Sequence, residues 1–268
     1  MIKKTTIFLS FLFCMQTLSQ SASAMTLFGS KKDKKETTKS VQSDYNKLVG
    51  RDTMAIKGLM GVIQKENDYY LEIPKTLIGR EILVSNKFLQ VPQELNEAGV
   101  NKGINYENKT IKFEWEKGLN KLNIREQRLT PEVYSFYAMA PSVKDNYINP
   151  LIASLKIEGV SKDSASVVVK VTNLFNGKDE CLNDVFNLIN LGTSANSELS
   201  RILSMKAFDN NVAATSELTT VVHEGKSKTN ITIVVSTSLI LLPSRPMMGR
   251  LENQRVGYFT TSRLHYGD

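Results

Sequence analysis

One pattern limits what this chain can become more than any other: apolar residues that return at every second position. In residues 111–116, Ile111, Phe113 and Trp115 fall on one side, while Lys112, Glu114 and Glu116 fall on the other. That is the period of a strand with one buried and one wet face. Lys117-Gly118-Leu119-Asn120 turns the chain, and Leu122 and Ile124 then alternate with Lys121, Asn123 and Arg125. The same reading makes a long hairpin of residues 212–223 and 230–242 around the polar loop Glu224-Gly225-Lys226-Ser227-Lys228-Thr229. In residues 165–172, Ala165, Val167, Val169 and Val171 share a face, and Val168 makes the middle apolar on both sides. A strand of that kind belongs in the centre of a sheet.

The weaker signals fill in around these strands. Residues 54–64 and 69–73 predict a hairpin about the turn Lys65-Glu66-Asn67-Asp68, followed by strands over 81–85 and 151–157. Residues 92–99 form a loop or one helical turn. Thr130-Pro131-Glu132 has the order of a helix start, with a capping hydroxyl, a proline and then an acid, and predicts a helix running to Pro141. Leu199, Ile202 and Leu203 predict a short helix within 194–203 that leads into a strand. The fold class expected is α+β, predominantly antiparallel β-sheet with a few short helices. A small N-terminal β-hairpin domain is expected over 44–85 and a larger β-rich domain over 86–268.

Residues 1–24 have the layout of a cleaved secretory signal: Lys3 and Lys4, an apolar run, then Ala22-Ser23-Ala24. The apolar run is too short for a transmembrane span, and no later stretch reaches that length. The expected location is periplasmic, cell-envelope or extracellular. Residues 25–43 are a lysine-rich linker. Cleavage takes two lysines from a formal net charge of +7, and Lys31, Lys32, Lys34, Lys35 and Lys39, against Asp33 and Glu36, carry more than half of what remains. The folded part has no basic footprint for nucleic acid. Cleavage also removes Cys14, which leaves Cys181 without an intramolecular disulfide partner. Stability must then come from core burial, and the lone Cys181 is expected to be a small buried hydrophobe.

Catalytic constellations are not found. A helical HExxH places two imidazoles on one face with a glutamate beside the zinc-bound water. Here His223-Glu224 is followed by Gly225-Lys226, and the other histidine is His265. Asp179, Glu180 and Asp184 lack the alternating spacing of a calcium loop. Nucleophile-elbow, P-loop and dinucleotide glycine patterns are also absent. No catalytic, cofactor-binding or metal-ligating residue is expected. Trp115, by its place in the alternation, belongs to the core and not to an exposed ligand platform.

Four stretches nonetheless carry a resemblance: Tyr69-Tyr70-Leu71-Glu72-Ile73-Pro74, Gly79-Arg80, Val171-Thr172-Asn173-Leu174-Phe175 and Arg255-Val256-Gly257-Tyr258-Phe259. With Pro246, Met247 and Arg250 they resemble the N-terminal, non-catalytic domains of bacterial secreted zinc-dependent metalloproteases. In that family the last stretch immediately precedes the catalytic domain and its HExxH helix. An aspartate is expected before the arginine there, where this chain has Gln254. The resemblance implies a region that supports or packs against a peptidase domain, in cis or in trans, and helps to hold polypeptide substrate. Zinc is expected only in that other domain. Arg250, Arg255, Val256, Tyr258 and Phe259 are the candidate domain-interface residues it implies. A free-standing cell-envelope binding module without enzymatic activity is the alternative.

Overall fold

The computed structural model describes residues 48, 53–116, 118–161, 163–225, 227–245, 247–248, 255 and 265–266. Twelve strands account for most of the ordered core: β1 (Met54–Ile56), β2 (Gly61–Lys65), β3 (Asp68–Pro74), β4 (Glu81–Gln90), β5 (Asn105–Glu116), β6 (Lys121–Gln127), β7 (Glu132–Val133), β8 (Leu151–Val160), β9 (Ser166–Lys170), β10 (Arg201–Ala207), β11 (Asn211–Glu224) and β12 (Ser227–Leu241). A last short strand is β13 (His265–Tyr266). The helices are short: α1 (Gln93–Glu97), α2 (Ala140–Asn146), α3 (Thr172–Phe175) and α4 (Val185–Leu188), with a 3-10 turn at Lys75–Leu77. Of the expected α+β class, what forms is the mostly antiparallel β-sheet with a few short helices.

Eleven strands make one sheet in the order β1-β2-β3-β9-β8-β6-β5-β4-β12-β11-β10, every neighbour antiparallel. Register shifts interrupt five of these ladders, including those of β8 with both β6 and β9. Such bulges bend a sheet, and this one curls until its two ends meet. The amide of Leu59 donates to the Phe208 carbonyl at 2.7 Å. A Cβ on Gly58 would lie 2.7 Å from that same oxygen. Only glycine lets the two backbones come so close. The barrel is therefore nearly closed, with its seam between the 57–60 bend and the end of β10.

The interior is filled. Leu71, Ile73, Ile111, Phe113, Ile124, Val169 and Leu239 converge from around the wall, and a void of only about 10 Å³ remains among them. Segment 171–200 supplies the stopper. Leu174, Phe175 and Leu182 join the main core, whereas Val185 and Phe186 pack with Phe88, Leu95, Leu218, Ile233 and Val235 in a second cluster. Burying each such side chain contributes roughly 1.5–3 kcal/mol.

Between the two clusters lies a polar layer. Along β4, Val84 belongs to the first and Phe88 to the second, with fully buried Asn86 midway. The Asn86 amide donates to the Leu182 carbonyl at 2.8 Å and to Glu107 at 2.9 Å. Lys109 pairs with Glu107 at 2.7 Å and donates to the Cys181 carbonyl at 2.9 Å. Asn183 donates to the Thr237 hydroxyl and accepts from Tyr106. These bonds tie the stopper to the wall.

Four local expectations are corrected. Residues 54–64 are not one strand, because the 57–60 bend folds β1 back onto β2. Residues 130–141 are not a helix: Glu132–Val133 is a strand, and the helix begins at Ala140. No helix forms in 194–203. There Ser200 Oγ donates to the Asn196 carbonyl and accepts from the Thr219 amide, which commits the chain to enter β10. Trp115 is half-buried at the edge of the core, with the Lys75 ammonium 4.8 Å from its ring centroid.

Candidate docking surface

Residues 128–150 leave the barrel between β6 and β8 and return, and polar contacts fix the neck of this excursion. Asn149 Nδ2 donates to Gln127 Oε1, and Asn149 Oδ1 accepts the Arg128 amide at 3.0 Å. Arg125 grips Glu114 through Nε at 3.0 Å and donates to the Asn149 carbonyl at 2.6 Å. Its planar fork suits two acceptors at once.

Beyond the neck, the side chains are of a kind that proteins usually bury. Tyr134 and Phe136 stack with ring centroids 5.4 Å apart and planes at 7°, and Tyr137 lies 4.6 Å from Phe136. Phe136 is 76% exposed and Ile148 88%, with Leu129, Met139, Tyr147 and Leu151 also exposed. Pro141, in the first turn of α2, suits a helix start, where its missing N–H costs nothing. A shallow groove of about 440 Å³ runs here, with Thr130, Ser135, Lys144 and Asn149 in its wall beside Pro131, Val133, Val143 and Tyr147. Exposed apolar and aromatic side chains gathered in one excursion mark an interaction surface more often than a solvated one. The edge of the excursion is also paired: β7 and β13 form a two-stranded parallel ladder, Glu132 with His265 and Val133 with Tyr266.

The candidate interface residues fare differently. Arg255 lies exposed in a turn. Arg250, Val256, Tyr258 and Phe259 lie outside the described residues. The aromatic excursion itself was missed by sequence reading, although Tyr134-Ser135-Phe136-Tyr137 is a visible aromatic run. Its signal was absorbed into the expected helix.

The other side chains singled out in the sequence serve turns. Asp179 accepts the Cys181 amide, Glu180 accepts the Ala195 amide at 2.8 Å, and Asp184 accepts from Asn187. Burial, reinforced by Asp179, pushes the Cys181 thiol up to about 12, so it is neutral at physiological pH. Among the described residues no three His, Cys, Asp or Glu side chains gather into a metal site, and no helix is long and apolar enough to cross a membrane.

A curled antiparallel barrel with a built-in stopper and one exposed aromatic excursion defines a class of β-rich modules whose described surface is suited to contact. The sequence places it further. Residues 103–268 match the family described as Domain of unknown function (DUF5117), and the chain belongs to that family. Residues 42–91 match a second one, Domain of unknown function (DUF5118). Both stretches contribute strands to the one sheet. Comparison with curated proteins and with solved structures gave no match.

Proposed function

We propose that this chain is the non-catalytic N-terminal region of a secreted zinc metallopeptidase, and that the 128–150 excursion is the face on which a peptidase domain packs. The observation that carries this reading is the exposed stack of Tyr134 on Phe136, with half-buried Tyr137 tilted against it, next to the β7–β13 ladder in the chain. That ladder pairs residues 265–266, which follow the stretch resembling the junction to the catalytic domain, with Glu132 and Val133, immediately before Tyr134 in the chain. A domain joined there, or bound in trans, meets apolar side chains at once. The zinc and its HExxH ligands belong to that domain, and the signal-like residues 1–24 export the region.

The test pairs the mature chain with the peptidase domain encoded with it or beside it. The double variant Phe136→Ser/Ile148→Ser should bind that domain at least roughly tenfold more weakly, as expected when central apolar anchors are lost. Full affinity in the variant would move the interface elsewhere. No association of the wild-type chain would favour the free-standing cell-envelope binding module instead.

A further inference from the structure

The barrel seam is closed at Leu59 and Phe208 but opens at the other ends of β2 and β10 into a cleft of about 530 Å³. Gln64, Asn67, Asp68, Asn173, Ser200 and Arg201 are among the residues that line it. Its charged groups are already engaged. Asp68 binds Lys170 at 2.7 Å and accepts from the Thr172 hydroxyl, and Arg201 pairs with Glu217 at 3.0 Å. Ser200 is held between Asn196 and Thr219. What remains for a ligand is a set of neutral amides. Among the described residues the side chains of Gln64, Asn67 and Asn173 have no hydrogen-bond partner, and Asn67 and Asn173 are exposed.

Each primary amide offers a donor and an acceptor side by side, the same pair that a peptide group presents. The cleft wall is also the start of β10, an edge strand whose sheet neighbour is β11. Such an edge accepts an added main chain. The bulge at Ile202–Ser204 interrupts that edge, so ladder pairing stays short and the side-chain amides must supply most of the contacts. A saccharide would instead look for an exposed aromatic face, and Tyr69, the aromatic residue of the lining, is only 7% exposed.

We infer that this cleft binds an extended polypeptide through its main chain, with little selection among side chains. The inference deepens the reading above, on which it rests only for that polypeptide being peptidase substrate. The experiment titrates the isotope-labelled mature chain with an uncharged peptide of repeated Gly-Ser-Thr units and follows amide resonances. Saturable shifts are expected at the side-chain amides of Gln64, Asn67 and Asn173 and at the backbone of Arg201 and Ile202. Asn67→Ala/Asn173→Ala should weaken binding roughly tenfold, and so should replacing alternate peptide amides by esters, as expected for one or two lost hydrogen bonds. No shifts, shifts confined to other regions, or the same shifts with maltoheptaose but not the peptide would overturn the assignment. The same cleft variant should still bind the peptidase domain. Peptide binding without domain binding would defeat only the earlier reading, and domain binding without peptide binding only this one.

Discussion

Asn86 and Leu182 are 96 residues apart in sequence, yet the side-chain amide of the first donates to the carbonyl of the second at 2.8 Å, wholly inside the barrel. The bond joins a wall strand to the stopper at the level where the two apolar clusters separate. A buried carbonyl without a donor costs about 1–3 kcal/mol. The polar layer therefore fixes where the stopper sits, while the clusters on either side supply most of the burial.

Asn86→Ala should lower the unfolding free energy by about 2–3 kcal/mol, from the orphaned Leu182 carbonyl and a small cavity. Asn86→Asp, nearly the same shape, should be worse at neutral pH. It sets a carboxylate against the Glu107 carboxylate and the Leu182 carbonyl, both acceptors. Its folded-state pKa is then raised, so stability returns as the pH falls and the group protonates. Urea titrations at acid and neutral pH measure both. Asp as stable as Asn at neutral pH would show that the donor is dispensable.

Gly177 presents the other constraint on the stopper. Its φ is +78°, and a Cβ there would lie 2.5 Å from the Ala195 Cβ. Gly177→Ala combines a disfavoured backbone with a clash, and should destabilise by about 1–3 kcal/mol. Adding Ala195→Gly should recover the steric part but not the conformational part. Thermal unfolding of the three variants reads the split, and full recovery in the pair would show that the left-handed backbone costs nothing here.

What was legible in the sequence follows from how each element is held. β5, β6, β11 and β12 were readable because a sheet with one buried face forces alternation, which Ile111, Phe113, Leu122 and Ile124 obey, and β9 because Val167, Val168 and Val169 are buried on both faces. Residues 130–141 misled because the helix signal of Thr130-Pro131-Glu132 is local, whereas β7 finds its partner in β13, far along the chain. Tertiary pairing overrode propensity. The bend at 57–60 packs on Phe208; Gly58 permits that approach, but nothing local to 54–64 points to so distant a partner. Trp115 kept the face its parity predicts and packs against the core opposite Leu122, but its ring ends half-buried. The polar layer was illegible for the same reason. Asn86, Asn183 and Thr237 look like ordinary wet residues until the barrel brings them together.

The thiol of Cys181 gives a pH signature. Burial first, then Asp179, raises its pKa from 9.0 to about 12. Between those values the unfolded chain has lost the proton and the folded chain keeps it. The unfolded state thus binds fewer protons, and stability falls as pH rises. The contribution is intact below about pH 9 and is lost progressively toward 12. Tyr106, raised mainly by burial, adds to the same trend. Cys181→Ala should flatten part of the alkaline decline, and a thiol reagent at pH 8 should label the half-buried, neutral thiol of the native chain much more slowly than that of the unfolded chain. Rapid native labelling would show an exposed, ionisable thiol.

The β7–β13 ladder should be the weak point of the fold and the place where a partner leaves its mark. β12 is held along its length by β11 and over much of it by β4, so its amides should exchange only in large openings. β13 has two residues in a parallel ladder with one neighbour, and that neighbour also has only two. Parallel pairing is slightly less stable per residue than antiparallel, and the excursion that carries β7 is exposed. Amides of His265 and Tyr266 should therefore exchange orders of magnitude faster than those of Ile233, Val235 and Leu239 in the isolated chain. A peptidase domain docked on Tyr134 and Phe136 would bury the excursion and slow exchange at Val133, His265 and Tyr266, leaving β12 unchanged. Protection at 265–266 equal to that of β12 without any partner would mean that the ladder belongs to this module's own stable core. The reading as a self-sufficient envelope module would then be the stronger one.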